Sequence, residues 1–213
     1  MKQSMFFALI LLIFAACKNA TPTPENVTDI AEPPVVSPAD QQFKGAFAML
    51  NGTWEGVFYI YEDSLGQRPG KSRPEITDLE FADLSLKLIK EIDVRQEYVS
   101  ENPYFQRVTI RDRFVNANGD TETVVSEGVN KVQDGALWCV VQKPDETIVH
   151  HGSMQGAGTL IWQRDERDPL KIEYFHESVE GDYYKIIGWG YYGDDNPNLS
   201  PKTWFVGDYS RMD

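Results

Sequence analysis

Three histidines are the side chains of this 213-residue chain best suited to bind a metal or move a proton near neutral pH. His150 and His151 are adjacent, and adjacent side chains of a strand face opposite sides, so the two do not share one ion. A metal centre would need one of them, His176 and a carboxylate to converge. No H-x-H or H-x-x-x-H spacing occurs, and no metal is expected. The carboxylates Asp165, Glu166, Asp168, Glu173, Glu177, Glu180 and Asp182 form an acidic stretch. Acid–base catalysis needs two of them facing each other in a cleft. Glu173 and Glu177 fall on the polar parity of their strand, which predicts a solvated surface. The polar run Gly193-Asp194-Asp195-Asn196-Pro197-Asn198 lacks the ligand order of an EF-hand calcium loop. No G-x-S-x-G nucleophile elbow is present. Cys139 sits in the apolar run Leu137-Trp138-Cys139-Val140-Val141 and reads as a buried structural thiol, without the base or electropositive setting that a nucleophile requires. These residues predict no enzyme, no metal and no cofactor.

Polar residues on apolar parity carry a different message. Lys90, Gln96, Gln106, Asp112 and His176 alternate in step with aliphatic neighbours. A dry interior does not hold several such groups without partners. Either they line a wet or ligand-holding cavity, or β-bulges flip the parity and they face solvent. Trp138, Trp162, Trp189, Tyr174 and Tyr191 would supply the aromatic walls of such a cavity. The candidate ligand-binding set is Lys90, Gln96, Asp112, Trp138, Tyr174, His176 and Trp189.

The elements that must position these residues are strands. Leu50-Asn51-Gly52-Thr53-Trp54-Glu55-Gly56-Val57-Phe58-Tyr59-Ile60-Tyr61 opens the pattern, with Trp54, Phe58 and Ile60 on one face and Glu55, Val57, Tyr59 and Tyr61 on the other. Alternation then runs through residues 84–98, 104–115, 121–132, 136–143, 146–154, 158–163, 169–178, 182–192 and 202–210. Asn118-Gly119, Asp134-Gly135 and Gly181-Asp182 supply tight turns. Nine or ten evenly spaced strands joined by short hairpins predict an all-β, antiparallel up-and-down barrel of about 8–10 strands. Ser37-Pro38 opens a predicted helix whose apolar stripe is Phe43, Ala46, Phe47 and Leu50, placed to close one end of the barrel. Residues 64–77 read as a long loop, a candidate flap over the barrel mouth, and residues 76–82 as an ambiguous helical turn.

Formal charge is −13 with no basic stripe. Nucleic acid is therefore excluded as a partner. Residues 5–14 form an apolar run too short to span a bilayer, after the basic start Met1-Lys2. The run ends in Phe14-Ala15-Ala16-Cys17, which resembles a bacterial lipobox, with Phe14 in place of the usual leucine. That resemblance implies a lipoprotein signal peptide over 1–16 and lipidation of Cys17. An ordinary signal peptide cut after Ala16 is the alternative. Residues 17–36 carry Thr21-Pro22-Thr23-Pro24 and Glu32-Pro33-Pro34 and read as a disordered tether. The barrel domain is assigned to 37–213. The expected location is the bacterial cell envelope, at the outer membrane, held by the lipid.

Gly52-Thr53-Trp54 at the first strand, with Arg211 just past the last, resembles the lipocalin (calycin) pattern. In that family the tryptophan lies at the barrel floor and an arginine from the last strand packs across it. The chain also looks like bacterial lipocalin-like domains of unassigned function that open with G-T-W-E-G. The resemblance implies a barrel whose floor is built from Gly52, Trp54 and Arg211 and which holds a small apolar or amphipathic ligand. Lipocalins have eight strands, and the higher count here leaves a ten-stranded relative open. Three functions follow: a lipid-anchored ligand-binding barrel, an interaction lipoprotein whose barrel is filled, and an enzyme at the barrel mouth.

Overall fold

The computed structural model describes residues 23–78 and 83–212. The signal segment and Cys17 lie outside the described residues, as do 79–82, where part of the ambiguous helical turn falls. Ten strands follow one another: β1 (Gly52–Asp63), β2 (Leu86–Asn102), β3 (Phe105–Val115), β4 (Thr121–Gln133), β5 (Ala136–Gln142), β6 (Thr147–Met154), β7 (Thr159–Arg167), β8 (Leu170–Glu180), β9 (Tyr183–Tyr192) and β10 (Thr203–Met212). Each pairs antiparallel with the next, and β1 closes on β10. This is the predicted up-and-down barrel, at the upper end of the expected strand count. Closure removes the open edges that so long a sheet would otherwise present.

The turns behave as their residues dictate. Asp134 and Gly135 both have positive φ, 54° and 73°, the backbone of the primed turns whose twist matches paired strands. At Gly56 the β10 backbone comes so close that a Cβ would lie 2.0 Å from the Asp208 carbonyl oxygen. Only glycine permits that approach.

One end of the barrel, the floor, is plugged by the segment before β1. The sequence predicts a single helix there. The chain instead forms two 3-10 turns, Pro38–Phe43 and Ala48–Leu50. Gly45, at φ 78°, breaks the stripe between them, and its N–H donates to the Pro103 carbonyl at 2.8 Å. The apolar stripe still does the expected packing, because Ala46, Phe47 and Leu50 are buried with Trp54, Trp162 and Leu137.

Two further segments lie against the outside of the wall. The predicted tether is packed from Pro24 onward. Val27 is buried with Phe105, Val129, Ala136, Trp138 and Val140. Lys131 donates to the Asp29 carbonyl at 2.8 Å, and Arg107 to the Ile30 carbonyl at 2.9 Å. This strap begins at the floor, where Gln133 donates to the Asn26 side chain. The second segment is the long loop after β1. It does not act as a flap over the mouth: Pro74, Glu75 and Ile76 pack on the outer face of β8 and β9, where Trp189 donates to the Pro74 carbonyl at 2.8 Å and Tyr174 to Glu75 at 2.8 Å. Two apolar layers outside the barrel are the reason that parity misleads on β5, β8 and β9.

Candidate functional site

The floor is set by register. Trp54 pairs with Arg211 on β10 and with Gln96 on β2. The Arg211 guanidinium carbon lies 4.1 Å from the centroid of the Trp54 ring, a cation over an indole face. The two side chains also cap the plug. Trp54 donates its indole N–H to the Leu50 carbonyl at 2.7 Å, and Arg211 donates to the Asn51 carbonyl. These are carbonyls that the short 3-10 turn leaves without helical partners. Gly52 makes room: at φ 115° it occupies a backbone region that favours glycine, and a Cβ there would lie 2.8 Å from an Arg211 nitrogen.

Above the floor, the barrel encloses a cavity of about 340 Å³. Phe58, Ile92, Ile110, Phe175, Ile186 and Phe205 give it apolar walls. Gln96, Asp112, Ser126, Lys143, His150, Glu173 and Glu177 project polar groups into it.

The polar groups divide by depth. Toward the mouth, Glu173 is fully engaged. His150 Nε2 lies 2.9 Å from it, the Tyr192 hydroxyl donates to it at 2.7 Å, and an Arg164 nitrogen stands 3.8 Å away. Burial pushes this carboxyl up. The hydrogen bond and charge of His150, then Tyr192 and Arg164, outweigh it and hold the carboxyl down at about 2. Arg164 is itself tied to Glu146 and Glu166. Toward the floor, Glu177 sits across from Leu160 and Ile186. Its remaining exposure opens on the cavity. Burial raises its carboxyl to about 7, only partly offset by hydrogen bonds from Trp162 and Tyr184, and no cation pairs with it among the described residues. Beside it, Tyr98 donates to Gln96 at 2.6 Å and stands 3.4 Å from the Tyr184 hydroxyl. The hydroxyls of Ser126 and Tyr209 are buried without a hydrogen-bond partner. Burial and the Glu177 charge raise the Tyr98, Tyr184 and Tyr209 hydroxyls well above their ordinary range.

Of the predicted ligand-binding residues, Gln96 and Asp112 line the cavity, and burial raises the Asp112 carboxyl. Lys90 stands at the rim, its ammonium 3.2 Å from the centroid of the Phe114 ring, in a separate groove. Gln106 faces inward but is consumed by the plug, donating to the Phe47 carbonyl at 2.9 Å. Trp138, Tyr174, His176 and Trp189 do not line the cavity. Trp138 packs under the strap, Tyr174 and Trp189 stack at 5.2 Å under the long loop, and His176 shares their outward parity between Ile161 and Ile187. Of the predicted aromatic walls only Trp162 faces in; Tyr191 also lies under the loop.

Glu173 and Glu177 correct the opposite expectation, since the strand shows its acidic parity to the interior and its apolar parity to the loop. Lys185 held the missed signal. It is exposed and lies opposite Ser178, which sets the outer parity and turns Glu177, opposite Ile186, inward. Cys139 is a free thiol opening on the cavity, and burial pushes its pKa far up, as expected of an inert cysteine. Among the described residues no group of three or more His, Cys, Asp or Glu side chains is placed to hold a metal ion. The ten-strand meander is compatible with a lipocalin-like fold. No protein-family model and no curated protein matches the chain.

Proposed function

We propose that this protein is a non-catalytic binding barrel for a small amphipathic molecule, fixed to the bacterial outer membrane by lipid on Cys17. The cavity carries the reading: at about 340 Å³ it falls within the usual range for ligand sites, roughly 300–1,000 Å³, and it combines apolar walls with a few convergent polar groups. A barrel filled by its own side chains, acting through its outer surface, fits that interior less well. An apolar dye that brightens in protein cavities should bind one-to-one and be displaced by medium-chain amphiphiles. Gln96→Leu should change that affinity more than it changes folding. Absence of dye binding, with Gln96→Leu silent, would favour the filled-barrel role. Cys17→Ser should release the protein from the membrane fraction; retention after a salt wash would overturn the anchor.

Glu173 and Glu177 invite an enzymatic reading, because paired carboxyls with divergent pKa values serve as acid and base. The engagement of Glu173 with His150 and Tyr192 favours binding over catalysis, because that carboxylate is already occupied by partners of its own.

A further inference from the structure

The proposal of a binding barrel leaves open which end of the ligand goes in first and what that end is; the inference here rests on that proposal. We infer that the deep end of the cavity receives a cationic amine, seated against the Glu177 carboxylate and the aromatic rings around it, so that the ligand is an amine-bearing amphiphile inserted polar end first.

Four observations converge on it. Glu177 is an acid in a mostly apolar chamber with no cation paired to it among the described residues, while Glu173 on the same strand face has His150 and Arg164. A buried carboxylate without a counter-charge is costly, and a ligand cation supplies what the fold omits. Aromatic rings surround the position: Trp162 and Tyr184 are near enough to the carboxyl to favour its charged form, Phe175 is two residues away on the same strand face, and the Tyr184 and Tyr209 rings pack at a tilt of 34° with centroids 5.2 Å apart. Rings with a carboxylate between them suit an ammonium, which is attracted to their faces as well as to the charge. The buried hydroxyls of Ser126 and Tyr209 line the cavity without partners, and an ammonium offers three N–H donors to such oxygens. Finally, the carboxyls of the lining are Asp112, Glu173 and Glu177 and its basic groups are Lys143 and His150, with His150 engaged by Glu173. Lys143 and Asp112 interact with each other, so the charge left for a ligand is negative.

The test compares octylamine, octanol and octanoate, which share one chain and differ in the head group, by calorimetry at pH 7.5 on the full chain. Octylamine should bind one-to-one and at least tenfold more tightly than either competitor. Glu177→Gln, checked for folding by circular dichroism, should bring octylamine to the affinity of octanol and leave octanol unchanged. Tyr209→Phe should weaken octylamine by several-fold while leaving the chain-dependent part. If octanol or octanoate binds as well as octylamine, or the amine preference survives Glu177→Gln, the amine inference falls and the binding barrel stands. If none of the three binds, both fall together.

Discussion

Glu173 and Glu177 lie on one face of one strand, four residues apart, in one cavity, yet they occupy opposite electrostatic worlds. The mouth side solves the problem of a buried carboxylate by surrounding it with donors and positive charge, and Glu173 is held at about 2. The floor side leaves the problem standing, and Glu177 is raised to about 7 among tyrosines and tryptophans. The mouth is thus a finished network and the floor an unfinished one. Stability belongs to the first, and responsiveness to ligand or protons to the second.

The largest test of that division is at the floor plug. Trp54→Ala should cost about 3–5 kcal/mol in denaturant unfolding, as a fully buried large-to-small change. Next comes the pH profile of wild-type stability. Glu177 binds its proton more tightly folded than unfolded, so its contribution is present below about pH 4.5 and fades as pH rises through about 7. The fall should be on the order of 3 kcal/mol. Glu173 works in the other direction: it stabilises above about pH 4.5, and that stabilisation is lost as pH drops toward about 2. Chemical unfolding across this range should show stability decreasing between pH 4.5 and 7, and Glu177→Gln should make that limb shallower while leaving the acid limb of Glu173 in place. A flat wild-type limb would erase the contrast between the two carboxyls.

Glu173→Gln should cost about 1–3 kcal/mol near pH 7, by stranding groups that the carboxylate satisfies. An equal cost from Glu173→Gln at pH 3 would mean that the mouth network is not held by charge. Smallest is Arg211→Ala, at roughly 0.5–2 kcal/mol for the lost contact with the Trp54 ring. Combined with Trp54→Ala it should be non-additive, since the two touch at 4.1 Å; strict additivity would separate plug from wall.

The sequence carried the barrel and its floor because both rest on local rules. Alternation, two-residue turns and the Gly52-Thr53-Trp54 opening place β1 and β10 side by side, and the register brings Trp54 to Arg211. The inner wall was legible where one face meets solvent: Val94, Gln96 and Tyr98 are buried while Arg95 and Glu97 are exposed. It was illegible where both faces are covered. On β8, Ile172 and Tyr174 are buried under the loop, and Phe175 and Val179 are half-buried against the barrel interior. A strand clad on both sides has no polar face to announce its orientation, so alternation alone points its acids outward. The helix before β1 failed for a narrower reason, since Gly45 breaks an otherwise regular stripe.

The strap that begins at the floor also sets a direction. With lipid on Cys17, only Lys18 to Thr23 lie between the anchor and Pro24, and so short a stretch of chain reaches at most about 25 Å. Under the proposed anchoring, the plugged end would be tethered close to the bilayer and the open end would look away from it. Cargo would enter and leave from the aqueous side, by diffusion through water, and not by sliding sideways out of the lipid. A barrel moored in that way is a cup standing upright on the membrane, its capacity set by what is dissolved around it.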